Sequence, residues 1–390
     1  MRIVIFGGSF NPPHKGHLNA AIEAAKKLKA DKFLIIPDFL PPHKEMGPGA
    51  PAPEQRLELC RKNFAKVPGA TVSDMEIRRG GKSYTSDTLR ELKTEYPDAE
   101  FTLLVGADML HTLDTWHEAD YILRAAQICA FPRKKGQLPS MRKDAAALRD
   151  RFGAEIRLLE ELKPLAASST EIRRALRFRG GTGALTDAVY GYIVKNRLYG
   201  VRVNFRWLRK KGYAMLKPRR VAHVQGCEEE AIRLAKRWGA DADRAAEAAI
   251  LHDCTKKDLL PEQLLLCEKY GIIPDEVERV NGKLLHAKTG AAVAEQEFGM
   301  PPEVVEAIRW HTTGKADMTL LEKVMYMADY IEPNRDFEGV EPLRKLAYED
   351  LDRAMLLGFE MSLAEIAGRG EEPHPDTLAA VRWYRERGIG

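Results

Sequence analysis

The 390-residue chain is poor in three things, and each shortage excludes a class of protein. Its five cysteines, Cys60, Cys129, Cys227, Cys254 and Cys267, are odd in number and form no CxxC pair. Neither a disulfide framework nor a cysteine-rich zinc site is therefore expected, and reduced thiols in a cytoplasmic compartment fit the pattern. No apolar run is long enough to span a bilayer. The first of them, "RIVIF", breaks at Gly7, too short for a signal-peptide core, and reads as a first strand, so no membrane role is expected. The net charge is only +4, too small an excess to imply a nucleic-acid polymer as partner. The basic run "RWLRKKGYAMLKPRR" (206–220) reads as a solvated helix face or linker.

What is present is an ordinary globular composition, 44% hydrophobic and 30% charged, on a chain long enough for two units. Up to about residue 200, apolar runs ("RIVIF", "FLIIP", "FTLLVG", "AQICAFP", "IRLLE") alternate with helical patterns such as "LNAAIEAAKKLKA" and "AAALRDRF". Runs of Ile, Val and Leu without polar alternation suit a parallel sheet covered on both faces, so an α/β doubly wound parallel sheet, Rossmann-like, is expected over residues 1–200. From about residue 204 the strands stop and apolar spacing turns helical, as in "AAEAAILHD", "PPEVVEAIRWH" and "TLLEKVMYMADYIE". An all-α helical bundle is expected over residues 204–390. The Pro/Gly cluster "PPHKEMGPGAPAP" (41–53) reads as a mobile surface loop.

The turn "GGSFNPPHKGH" (7–17) joins the first strand to the first helix, at the carboxyl edge where open α/β sheets bind ligands. Gly7 and Gly8 let backbone amides approach a phosphate, and a helix starting near Lys15 or Gly16 turns its positive end to the same anion. His14 and His17, three apart, are placed to donate hydrogen bonds to a phosphorus centre gaining charge.

This turn resembles the HxGH signature of the nucleotidyltransferase superfamily. "PPHK" (41–44), "SYTSDTL" (83–89), "GADMLHTLDTW" (106–116) and "SSTEIR" (168–173) follow in the order and approximate spacing of nicotinate mononucleotide adenylyltransferases. That resemblance implies transfer of AMP from ATP, with Mg²⁺ on its phosphates, to nicotinate mononucleotide, releasing pyrophosphate. It implies catalytic roles for His14, His17, Lys44 and Arg173, the last two by charge, and nucleotide contacts at Gly7, Gly8, Ser9, Phe10, Asn11, Gly106, Ser168, Ser169 and Thr170. Trp116 would be the platform for the pyridine ring, with Thr85 and the backbone near Asp108 at its carboxylate. "DFL" (38–40) and Ala167 depart from the family pattern.

In the second half, His223, His252, Asp253, His286, His311 and Asp329 fall within or at the ends of apolar helical segments, where an unpaired polar group is costly. Imidazoles and carboxylates gathered in a bundle are metal-site material. The order H…HD…H…H…D resembles the HD-domain metal-dependent phosphohydrolases. "HTTG" (311–314), "LLEKVMYMADYIEPNRDFEGV" (320–340) and "HPDT" (374–377) are similar to the bacterial HD hydrolases that cut diadenosine tetraphosphate into two ADP. The resemblance implies one divalent ion on His223, His252, Asp253 and Asp329, and a second on Asp253, His286 and His311, Fe or Mn suiting such nitrogen-rich ligation. Asp253 would be both bridge and catalytic carboxylate. Lys256, Lys315 and Arg335 are candidates for the polyphosphate, and His374 for a substrate contact. Two alternatives stay open: another acceptor for the transferase joined to an HD nucleotidase or guanosine polyphosphate hydrolase, and a second half that senses adenine nucleotides without catalysis. A homo-oligomer is also left open.

Overall fold

The apolar runs of the first half are buried on both faces of one sheet in the computed structural model, which describes residues 1–390 except 43, 44, 48, 166 and 390. The sheet has six parallel strands, β1 (Arg2–Gly8), β2 (Lys32–Pro37), β3 (Ala70–Val72), β4 (Glu100–Gly106), β5 (Gln127–Phe131) and β6 (Ile156–Leu158), in the order β3-β2-β1-β4-β5-β6. Successive side chains point to opposite faces, so Ile3, Ile5, Leu34, Ile36 and Leu103 join one core and Val4, Phe6, Phe33, Ile35 and Leu104 the other. The helices are α1 (Lys15–Leu28), α2 (Pro53–Phe64), α3 (Met75–Arg79), α4 (Thr85–Glu95), α5 (Ala107–His111), α6 (Ala119–Ala125), α7 (Leu138–Phe152), α8 (Ser169–Leu176) and α9 (Asp187–Lys195). The sequence patterns do not call for β3: it is three residues at the sheet edge, none of them fully buried, too short to leave an apolar run.

Strand order positions the site. The chain builds outward from β1 through β2 to β3, then returns to the other side of β1 with β4. The two connections diverge between β1 and β4, opening a crevice at their carboxyl ends. Both strands end in glycine there, Gly8 and Gly106.

By contact the chain divides into two units, Met1–Arg202 and Val203–Gly390. The second is helical: α10 (Phe205–Ala214), α11 (Val221–Trp238), α12 (Ala242–Leu251), α13 (Leu260–Tyr270), α14 (Gly282–Phe298), α15 (Pro302–Arg309), α16 (Leu320–Ile331), α17 (Val340–Glu349), α18 (Leu351–Gly368) and α19 (Pro375–Glu386). Helix α11 packs on α12 and α16, and α12 on α15, which brings the inner ends of four helices together. Asp241 caps α12 by accepting from the backbone N–H of Asp243 and Arg244, and the helix runs to Leu251, leaving His252 and Asp253 at its carboxyl end. Among the described residues no helix is long and apolar enough to cross a membrane.

Candidate active sites

In the first unit the turn after β1 is held from three sides. His14 is the N-cap of α1, and the two imidazoles close a reciprocal box: His14 Nδ1 accepts from the His17 backbone N–H (3.4 Å) and His17 Nδ1 from that of His14 (3.2 Å). The rings stack with centroids 3.7 Å apart. Burial, aided by the positive charge of Arg133, pushes the His14 imidazole down to about 4, so it is neutral at pH 7. Its Nδ1 being an acceptor, the proton sits on Nε2, which is buried and has no hydrogen-bond partner among the described residues. From the far end of the unit, Ser169 Oγ donates to the Pro12 carbonyl (2.9 Å) and Arg173 Nη1 to that of Asn11 (2.7 Å).

The third support is the wholly buried Arg56 on α2. Its fork donates to Asp38 Oδ1 (2.8 Å) and to the carbonyls of Ser9 (3.0 Å), Asp38 (2.7 Å) and Phe39 (2.9 Å). Ser9 Oγ in turn donates to Asp38 Oδ2 (2.6 Å). The departure "DFL" thus has a structural reason: Asp38 joins the end of β2 to the turn after β1.

A cavity of 590 Å³ opens at this edge, bordered by Gly7, Gly8, Ser9, Phe10, Asn11, His17, Thr85, Gly106, Asp108, Trp116, Ser168, Ser169, Thr170 and Arg173. His14 does not border it. Stacked behind His17, it lines a small pocket with Arg133, Leu162 and Ala167. Ser9 and Phe10 reach the cavity mainly through backbone, since the Ser9 hydroxyl is given to Asp38 and the Phe10 ring packs edge-on against Phe6, Phe64 and His17. Trp116 is half-buried, packed on the core while bordering the cavity. Asp108 pairs with Arg133 (2.6 Å), and the space between depends on Gly106, where a Cβ would meet Asp108 Oδ1 at 2.7 Å and Arg133 Cδ at 2.9 Å. Lys44 lies outside the described residues. The described residues of the loop expected on the surface include the exposed Glu45, Gly47 and Gly49, and through Pro41, Pro42, Met46 and Ala50 the loop also walls the cavity.

In the second unit all six expected ligands meet. Asp253 is the centre: its Oδ2 lies 3.4 Å from His252 Nε2 and 3.8 Å from His223 Nε2, its Oδ1 3.2 Å from His286 Nε2 and 3.8 Å from His311 Nε2. Asp329 Oδ1 lies 2.9 Å from His223 Nε2. Every imidazole is oriented through Nδ1. Those of His252, His286 and His311 donate to the backbone carbonyls of Ala249 (2.7 Å), Lys283 (2.7 Å) and Ile308 (2.6 Å), each three residues back, whereas that of His223 donates to the buried carboxylate of Glu332 (3.1 Å). Four Nε2 atoms therefore face the carboxylates. His252 Nε2 and Asp253 Oδ1 are buried with no hydrogen-bond partner among the described residues. Burial lowers His286 and His311, keeping these imidazoles neutral. Burial alone would raise Asp253 and Asp329, but the surrounding histidines and cations outweigh it and hold both carboxyls well below the usual range. Imidazole Nε2 atoms converging on ionised carboxylates are the donor set of a divalent-metal site.

Four residues escaped the sequence reading. Arg133 follows β5 in "FPRKKG", Arg56 lies on α2, Glu332 sits in "DYIEPN", and Arg220 closes the run read as solvated. Arg220 Nε is hydrogen-bonded to Asp253 Oδ2, and its Nη2 lies 3.9 Å from Asp329 Oδ1. Of the candidate polyphosphate cations, Lys256 (3.1 Å from Asp253 Oδ1) and Arg335 (2.9 Å from Asp329 Oδ1) belong to the cluster. Lys315 does not, being paired with the buried Glu322 (2.9 Å). His374 is buried: it caps α19 and is bonded to Asp275 (2.8 Å).

Fold and geometry define a nucleotidyl-transferring α/β unit followed by a metal-binding helical one, and the comparisons agree. Residues 5–175 match the cytidylyltransferase-like family and residues 220–334 the HD domain. The chain is 38% identical to a probable nicotinate-nucleotide adenylyltransferase of Citrifermentans bemidjiense over 216 residues, covering 51% of this chain and 98% of the relative. It is 41% identical to the symmetrical bis(5'-nucleosyl)-tetraphosphatase of Bacillus subtilis over 167 residues, covering 42% of this chain and 88% of the relative. A Mycoplasma genitalium protein named probable nicotinate-nucleotide adenylyltransferase/Ap4A hydrolase is 29% identical over 367 residues, 91% of this chain and 96% of the relative. The chain belongs to the nicotinate-nucleotide adenylyltransferase family over its first unit and to the symmetrical bis(5'-nucleosyl)-tetraphosphatase family over its second.

Proposed function

We infer that the chain is a bifunctional enzyme. Its first unit transfers AMP from ATP to nicotinate mononucleotide, giving nicotinate adenine dinucleotide and pyrophosphate, and its second hydrolyses diadenosine tetraphosphate to two ADP. The observation carrying the first activity is the buried, neutral His14 with an unmatched Nε2–H behind a turn whose carbonyls are clamped by Arg173 and Ser169. In this reading the acceptor 5′-phosphate attacks the α-phosphorus of MgATP in line and pyrophosphate departs, with no covalent enzyme intermediate. The turn amides and the His17 imidazole donate to the charge that builds on the phosphoryl oxygens, His14 acts from the smaller pocket that shares His17 and Arg133 with the cavity, and Arg173 holds the polyphosphate by charge. Trp116 and Thr85, both lining the cavity, receive the pyridine ring and its carboxylate.

The second activity is carried by Asp253, whose two oxygens face two separate donor groups. His223, His252, Asp253 and Asp329 would hold one divalent ion, and Asp253, His286 and His311 a second. When bound, such ions, Fe or Mn by their nitrogen-rich donors, lower the pKa of a shared water and neutralise charge on the phosphoryl group. Lys256, Arg220 and Arg335 border the cluster and are free to exchange a carboxylate for a substrate phosphate. Incubating the full chain with nicotinate mononucleotide, ATP and Mg²⁺, and separately with diadenosine tetraphosphate and Fe²⁺ or Mn²⁺, tests both. Nicotinate adenine dinucleotide and ADP are expected, and a preference for the amide acceptor or an absence of ADP overturns the corresponding half. A His252→Ala, Asp253→Ala double variant that still hydrolyses fully would favour the nucleotide-sensor alternative.

A further inference from the structure

The helical site contains one donor that its six-residue ligand set leaves unused. Cys227 lies one turn after His223 on the same face of α11 and is wholly buried. Its Sγ is 3.3 Å from His223 Nε2 and 3.8 Å from Asp329 Oδ1. One donor atom from each of His223, Cys227, His252 and Asp329 can be chosen so that all four lie within 4.8 Å of one another. Two ligands bound about 2.0–2.3 Å from a common ion stand roughly 3–4 Å apart, so the separations around Sγ are those of donors sharing an ion. A second observation points to the same space: His252 Nε2, fully buried and without a hydrogen-bond partner among the described residues, lies 3.9 Å from Asp329 Oδ1. The thiol thus occupies the wall of a space that an unmatched imidazole nitrogen also faces.

We propose that Cys227 is a fifth donor to the ion held by His223, His252, Asp253 and Asp329, a thiolate that biases this half of the site toward iron, cobalt or zinc over manganese. The proposal rests on the dimetal reading given above. On coordination the thiol releases its proton to water and no electrons change hands. Sulfur is a softer donor than imidazole or carboxylate, which is the source of the bias. The site is then chemically asymmetric, with sulfur on one ion and only nitrogen and oxygen from His286, His311 and Asp253 on the other.

Cobalt titration of the metal-stripped full-length chain separates the possibilities. Visible d–d absorption reports bound Co²⁺, and near-ultraviolet thiolate-to-cobalt charge transfer reports sulfur ligation. Both signals are expected in the wild type. Cys227→Val should lose the charge-transfer band while keeping d–d absorption, and its preference for Co²⁺ over Mn²⁺ in competition should fall by about an order of magnitude. Cys227→Ser, nearly isosteric, gives the same loss should the valine variant fail to fold. Cys254→Ala, at another buried thiol beside Asp253, should keep both signals. Cobalt bound without the charge-transfer band, or a band that survives removal of Cys227, overturns the proposal and leaves the dimetal reading standing. Failure of the wild type to bind cobalt overturns both.

Discussion

Of the four histidines that present Nε2 to the carboxylates of the proposed metal site, three lean on backbone carbonyls that no substitution removes, and one leans on Glu332. That difference makes Glu332 the place to test whether ring orientation governs metal affinity. Its Oε1 accepts from His223 Nδ1 (3.1 Å), while Oε2 accepts from the Asn334 backbone N–H (2.7 Å) and from Asn334 Nδ2 (2.9 Å). The carboxylate lies so close to α11 that a Cβ at Gly226 would stand 2.2 Å from Oε2, well inside contact distance. Two different substitutions should therefore release His223: Glu332→Ala, which deletes the acceptor, and Gly226→Ala, which pushes it away. Loss of such a carboxylate–histidine–metal link lowers metal affinity by roughly 10- to 100-fold, about 1.4–2.7 kcal/mol. The measurement is competition between the metal-stripped full-length protein and a chromophoric chelator, with thermal melts to confirm folding. One of the two ions should weaken and the ion on His286 and His311 should not. Since both variants act on one carboxylate, the Gly226→Ala, Glu332→Ala double variant should be no weaker than the worse single. Unchanged affinity for both ions in a folded Glu332→Ala variant, or additive losses in the double, would refute the reasoning.

Other expectations follow from the first unit. The His14 imidazole, with its folded value at about 4 against an ordinary 6.5, stays neutral on acidification while the unfolded chain takes up a proton. Stability should thus fall as pH drops from about 6.5 to 4, by at most about 3.4 kcal/mol, and the dependence on this group should flatten below. Imidazole nitrogen shifts measured by NMR check the premise, and a His14 midpoint near 6.5 would sink it. Arg56→Ala leaves Asp38 buried without its partner and should destabilise the first unit by about 3–5 kcal/mol, read from urea unfolding; a loss below about 1 kcal/mol would count against it. Gly106→Ala forces Asp108 and Arg133 apart and should lower adenylyl transfer at least about tenfold while diadenosine tetraphosphate hydrolysis by the same sample is unaffected. A chelator should give the converse at low chelator and excess Mg²⁺: hydrolysis lost, transfer retained.

Legibility in the sequence followed the range of the interactions. Strands and helices are set by local periodicity, and the apolar runs of β1, β2, β4 and β5 carried their own signal, whereas β3 is only three residues long. The clustering of His223, His252, Asp253, His286, His311 and Asp329 was readable because His and Asp at the ends of apolar helices have few other reasons to be there. Their supports were not. Glu332 meets His223 across 109 residues and Arg56 meets the Ser9 carbonyl across 47, and in one dimension either looks like surface charge. The burial of His374 was hidden in the same way: it rests on Asp275, 99 residues distant. For the loop of residues 41–53, Pro and Gly content describes backbone propensity and says nothing of what the backbone encloses.

The bonds from Ser169 to Pro12 and from Arg173 to Asn11 have a consequence for the order of synthesis. They join positions 157 and 162 residues apart, so a turn synthesised early in its unit is finished by nearly the last helix of that unit. A nascent chain that has already built β1 through β6 still carries an open turn. Contacts of such sequence separation form late in folding, after the loops between them have closed. Nucleotide binding at this turn is accordingly a property of the completed unit, and a chain stalled before residue 169 would present the glycines and both histidines without the clamp that sets them.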